Sequence, residues 1–118
     1  MFKGNQSAVI GSFFIGGWLK YNSPRINAFE NLGKYNVGKK HLPGSGGHWT
    51  KFSTSNQNYL RTIGKKAIKK TSMKKLVFNS ADSYKIIYDT GKIIGVKGEK
   101  SIVLVFTKLG KIITFFPK

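Results

Sequence analysis

Cysteine is absent, and with it go disulfides, thiolate catalysis and Cys-ligated zinc. Acid is nearly absent too: Glu30, Asp82, Asp89 and Glu99 are the whole supply in 118 residues, and the histidines number two, His41 and His48. Zinc and two-metal sites need carboxylates or imidazoles at ligand spacing. The chain has no H-E-x-x-H pattern and no close acidic pair, so neither a metal site nor a cofactor is expected. Long apolar runs are also missing. Ala8 to Leu19 is too short for a membrane span, is diluted by Gly11, Gly16 and Gly17, and lacks a small-residue cleavage site. Stable membrane insertion and a signal peptide are therefore not expected.

What is abundant is positive charge. Lys and Arg total 21, giving a net charge of +17 and a pI near 10.3. Such an excess repels itself in the free protein and attracts polyanions, with each phosphate contact adding affinity through counterion release. The 40% hydrophobic and 14% aromatic content excludes a disordered basic tail and supports one compact domain over 1–118.

The order of residues predicts an α+β domain. An apolar, Gly-rich segment with a helix occupies 1–33: Ser23 suits the N-cap, Pro24 the first helical position, Ile26, Phe29 and Leu32 one face, and Gly33 the stop. A Gly- and Pro-punctuated loop follows over 34–54 and carries His48. A basic helix is expected over 55–72, capped by Ser55, with Leu60, Ile63, Gly64 and Ala67 inward. Gly64 in its interior implies close packing. An antiparallel sheet of four to five strands fills 74–117: Leu76–Asn79, Tyr84–Asp89, Lys92–Val96, Ser101–Thr107 and Lys111–Phe116, separated by turn chemistry. Helices packed on a twisted sheet follow from the short connections, which forbid parallel crossovers.

The lack of metal ligands steers the chemistry towards RNA. RNA carries its own nucleophile, so cleavage needs a base for the 2′-hydroxyl, an acid for the leaving oxygen and cations around the phosphorus. In Gly46-Gly47-His48-Trp49-Thr50-Lys51 a histidine, the side-chain type suited to proton transfer, stands beside glycines that admit a phosphate, with Lys51 to hold developing charge. Trp49 reads as core by its apolar area, with base stacking as the functional alternative. Arg61, Lys65, Lys66, Lys69 and Lys70, continued by Lys74 and Lys75, form an acid-free rail suited to a phosphate backbone. Glu99, among Lys97 and Lys100, is the acid best placed as base or orienter, or else it forms a salt bridge in a turn. Lys92, Lys97 and Lys111 are further RNA contacts interleaved with the apolar strands.

From Gly95-Val96-Lys97-Gly98-Glu99-Lys100 through Phe106, and then Gly110-Lys111-Ile112-Ile113-Thr114-Phe115-Phe116-Pro117, the chain resembles the closing strands of bacterial toxin domains. These are the C-terminal toxins of contact-dependent growth inhibition (CdiA-type) and polymorphic toxin systems, several of which adopt the barnase/EndoU/colicin/RelE (BECR) ribonuclease fold. The resemblance covers roughly Pro43 to Lys118. It implies a metal-independent endoribonuclease that cleaves RNA, tRNA above all, on the open face of a sheet. It raises Thr114 to a site residue. An RNase A-like set would be His48, Lys51, Tyr84 and Thr114, whereas an EndoU-like pair of histidines would need His41 as well. It implies further a cognate acidic immunity protein, a monomer when that partner is absent, and action in the cytoplasm of a target bacterium after delivery at the end of a secreted or surface effector. Ala8 to Leu19 then either completes the core or is a remnant of the translocating part. Two alternatives stand beside this reading: a non-catalytic basic nucleic-acid-binding module, and a membrane-active basic toxin.

Overall fold

The structure, a computed structural model, describes residues 16–71, 77–79 and 82–118. Helix α1 spans Gly16–Leu32, a single 3₁₀ turn spans Lys39–His41, and helix α2 spans Gln57–Lys70. Strands β1 (Val77–Asn79), β2 (Ser83–Asp89), β3 (Ser101–Thr107) and β4 (Ile112–Pro117) form an antiparallel meander in the order β1-β2-β3-β4. The body of the sheet is the three full strands β2 to β4, with the short β1 at one edge. Leu76, Lys74, Lys75 and the first part of Ala8 to Leu19 lie outside the described residues.

The expected start of the first helix is corrected. It begins at Gly16 and carries Pro24 inside it, whereas local residue preferences place Ser23 at the cap and Pro24 in the first turn. Proline loses one N–H bond and crowds the carbonyl a turn earlier, so local rules place it at a helix start. Here Pro24 is buried, and packing overrides that preference. In α2 the period holds: Leu60, Ile63, Gly64, Ala67 and Ile68 are buried. The cap is Asn56 and not Ser55, since the Asn56 side chain accepts a hydrogen bond from the Tyr59 N–H at 3.1 Å. Gly64 is the close-packing point, because a Cβ there would come 2.9 Å from Leu32 Cδ1 and 3.2 Å from Phe115 Cε2.

Both helices cover one face of the sheet. Ile86, Ile102, Leu104, Phe106 and Phe115 from that face join Leu32, Leu60, Ile63, Ala67 and Ile68 in the core. Alternation turns Val103, Val105, Thr114 and Phe116 to the other face, where Val103 pairs with Phe116 and Val105 with Thr114. A bulge between Val105 and Phe106 keeps this alternation in step with Ile112.

The expected strand Lys92–Val96 does not form. The segment is instead part of a long arm between β2 and β3. Its backbone bonds go elsewhere: Ile94 N–H donates to Glu99 O (2.8 Å), Val96 N–H to Lys51 O (2.9 Å), and Ile94 O accepts from Ser53 N–H (2.9 Å). A single bridge, Phe52 to Gly95, is all the sheet character left. Thr90-Gly91 and Leu109-Gly110 are turns as read, with Gly91 at φ +78 and Gly110 at φ +87.

Candidate active site

The segment after α1 wraps around the β4 edge to the face turned away from the helices. The backbone of His41 is held at both ends of its 3₁₀ turn, donating to Gly38 O (2.9 Å) and accepting from Phe52 N–H (2.8 Å). Phe52 then re-enters the core edge-on to Phe115, with centroids 5.2 Å apart. Between these anchors the His41 ring stacks on Phe116 at 5.2 Å and 20°, so the loop closes over the outer end of β4.

His41 is buried, 5% exposed, and its Nδ1 lies 2.7 Å from the carbonyl oxygen of Thr50. A carbonyl only accepts, so Nδ1 carries the proton and Nε2 is the nitrogen left to act. Among the described residues Nε2 has no partner. His48 is exposed and stacks on Trp49 at 5.3 Å and 20°. Trp49 also meets the edge of His41 at 6.2 Å and carries Lys40 Nζ 4.0 Å above its ring. The indole is 48% exposed, so the core reading of Trp49 is overturned. It acts as the spacer that sets the two imidazoles.

These groups line one cleft of about 460 Å³, into which Lys40, His41, His48, Thr50, Thr114 and Phe116 all reach. Thr114 enters because the two-residue period of β4 puts it beside Phe116 on the outward face, while Phe115 points into the core. His48 also borders a smaller hollow of about 90 Å³ with Lys51, Lys97 and Glu99.

Lys51 stands close to His48, but its ammonium is engaged. Nζ donates to Gly47 O at 3.0 Å and Trp49 O at 2.8 Å, gathering the carbonyls of a bend that Gly47, at φ +87, makes possible. One of its three N–H groups remains for a ligand. Glu99 holds its own turn: Oε1 accepts from Lys97 N–H at 3.0 Å and the side chain lies against Gly95, where no Cβ would fit.

Other expected residues are placed apart. Tyr84 sits on β2, with β3 between it and β4, and its ring packs on Phe78 and on the core residue Phe106. It faces the helix side, so the His48, Lys51, Tyr84, Thr114 set is not assembled. Arg61 is used structurally, donating to Tyr35 O at 2.9 Å and to the side chains of Asn58 and Asn36. Lys92 lies over Tyr59 near the start of α2, and Lys111 sits in the β3–β4 turn. Lys65, Lys66, Lys69 and Lys70 line a groove on the outer side of the helices, with Phe29. The cations are thus split between two surfaces on opposite layers.

No family model matches the chain, and neither a curated protein nor a solved structure matches it. What the site can do rests on its own atoms. Among the described residues no group of three His, Asp or Glu could hold a metal ion. Two imidazoles, a hydroxyl and an ammonium around one cleft are equipped for proton transfer beside an anion. Reading residue types missed Lys40, Thr50 and Phe116. The i, i+2 relation of Thr114 and Phe116 was available as a signal, but the crossing of Lys40-His41 onto that strand was not.

Proposed function

We propose that the chain is a metal-independent endoribonuclease whose acid–base pair is His41 and His48. The observation that carries this is the cleft itself: it brings both histidines to the outward face of β4, with Thr114 and Lys40 at its rim. In the reaction, Nε2 of His41 takes the proton of the 2′-hydroxyl. The 2′-oxygen bonds to phosphorus, the bond from phosphorus to the 5′-oxygen breaks, and His48 gives that oxygen its proton. A 2′,3′-cyclic phosphate and a free 5′-hydroxyl result. Thr114 and Lys40 stabilise the charge on the non-bridging oxygens, which grows as the phosphorus becomes crowded. The exposed ring of His48 is reloaded from water.

The two-histidine pattern is favoured over the one that needs Tyr84. Helices on one face of an antiparallel sheet and a cleft on the other support a BECR-type ribonuclease. With the C-terminal resemblance, that makes an antibacterial toxin the fuller reading: tRNA as substrate, an acidic immunity protein as partner, and the target cytoplasm as the place of action. Incubation with total RNA in EDTA is the test, with product ends identified. Cyclic phosphate ends with the native chain and their loss in His48→Ala support the reading. Intact RNA with folded protein ends it.

A non-catalytic RNA-binding module is the second reading, favoured by Lys51, which spends two of its donors on its own loop. It would bind RNA with a steep salt dependence and leave it whole. Membrane action has less support: among the described residues no helix is long and apolar enough to cross a bilayer. Dye release from anionic vesicles would revive it.

A further inference from the structure

On the side of the molecule opposite the histidine cleft, α1 and α2 leave a groove of about 640 Å³ lined by Phe29, Lys65, Lys66, Lys69 and Lys70. We propose that this groove binds a single-stranded RNA segment, at a site separate from the cleft and whether or not the cleft cleaves.

The lysines come in two neighbouring pairs four residues apart, a rise of about 6 Å along one helix face. A solvated helix face of ordinary composition carries acids at i, i+4 from its bases; α2 has none. The row is therefore unneutralised from within its own helix. Opposite it, α1 contributes Phe29, half-buried, with Lys65 Nζ 5.4 Å from its ring centroid. Phe29 and Lys69 are shared with an adjoining, largely apolar hollow of about 250 Å³ that Ile26, Ile68 and Arg25 complete and Glu30 borders.

A row of cations beside an aromatic ring and an apolar hollow fits a strand whose phosphates follow the lysines while an unstacked base enters beside Phe29. In a duplex the bases are stacked on one another and cannot reach the ring. The Glu30 carboxylate, at the border of the hollow, offers an acceptor to an exocyclic amine of such a base. Arg61, one turn before Lys65, is excluded from the row because its guanidinium ties α2 to Tyr35 and Asn36.

The experiment is titration of the full chain with a short 2′-O-methyl oligoribonucleotide, which has no free 2′-hydroxyl and so reports binding independently of cleavage. Replacing Lys66, Lys69 and Lys70 by Gln should reduce the slope of log K against log salt by about 2, at about 0.7 per single-strand phosphate contact. Removing the same charge elsewhere, at Lys100, Lys108 and Lys118, should leave most of the slope. Phe29→Leu should weaken binding about tenfold, the loss of one stacked base. Equal losses in the two lysine triples would mean net charge and no groove, and would overturn the proposal. So would equal affinity for the same sequence held in a duplex, or displacement of the oligonucleotide from these lysines by poly-glutamate at lower concentration. Should Phe29→Leu fail to fold, the comparison of the triples still decides.

Discussion

Nδ1 of His41 and the carbonyl oxygen of Thr50 are 2.7 Å apart, nine residues distant in sequence, and this one bond fixes the tautomer of a buried imidazole that lines the cleft. The ring cannot turn over without giving up this bond to a half-buried carbonyl, at a cost of about 1 kcal/mol. A loop of otherwise weak local preference thus presents a defined Nε2.

His41→Asn separates structure from chemistry at this position. The Asn amide nitrogen takes the place of Nδ1 and keeps the bond to Thr50, but nothing replaces Nε2. Cleavage should fall by about 10²–10⁴, while stability falls only by what the lost ring stack on Phe116 contributed. His41→Ala should destabilise further, by about 1 kcal/mol for the lost hydrogen bond and more for the lost stack on Phe116. RNA cleavage rates beside melting curves read both, and native-like cleavage by the Asn variant would remove His41 from the mechanism.

Thr114→Val keeps the shape of a side chain at the cleft and removes its hydroxyl. The expected result is a drop in kcat of about tenfold or more with KM and stability little changed, as for a donor used in the transition state. A change confined to KM would make Thr114 a binding contact only.

Lys51→Ala should act through the loop. With Gly47 O and Trp49 O released, the bend opens, cleavage falls, and Trp49 becomes more accessible to acrylamide quenching of its fluorescence. A lysine that serves only as a charge for the phosphate would change the rate and leave the quenching as it was.

Gly64→Ala sets two effects against each other. Helix propensity gains about 1 kcal/mol, whereas overpacking a tight core costs about 1–3 kcal/mol. The added Cβ would stand 2.9 Å from Leu32 Cδ1, and Leu32 is fully buried, so the clash should win. Urea unfolding should show a net loss near 1 kcal/mol, and a gain would mean that α1 shifts freely against α2.

Burial raises the pKa of the Tyr35 hydroxyl above its ordinary value of 10.0. The unfolded chain then releases this proton first as pH rises, so it holds fewer protons than the fold and stability declines above about pH 10. Tyr35→Phe should remove that part of the decline. Unfolding measured for both chains between pH 8 and 11 checks it, and parallel curves would assign the decline to other groups.

Much of the architecture was legible locally. The α2 face, the long strands and their turns are written in short-range periodicity and in residues such as Gly91 and Gly110 that accept positive φ. Lys92–Val96 fits a strand template by its Ile and Val content between turn residues, but its N–H and C=O groups pair with Lys51, Ser53 and Glu99 and not with a strand of the sheet. Pro24 runs against local rules because these describe an isolated helix, and burial of the ring decides otherwise. That His48 lies in an exposed loop was legible from the glycines before it. Tyr84 was not separable from Thr114 until strand order and facing were known.

By itself the sequence determined the charge, the lack of thiols, the scarcity of acids and most of the elements, because these depend on composition and on contacts within a few residues. Tertiary structure decided which groups meet. His41 joins Thr114 and Phe116 only when the loop crosses the β4 edge, and the lysines of α2 are parted from them by the helices and the sheet. Such meetings are set by how layers bury their apolar faces, a property of the whole chain that no short window of residues contains.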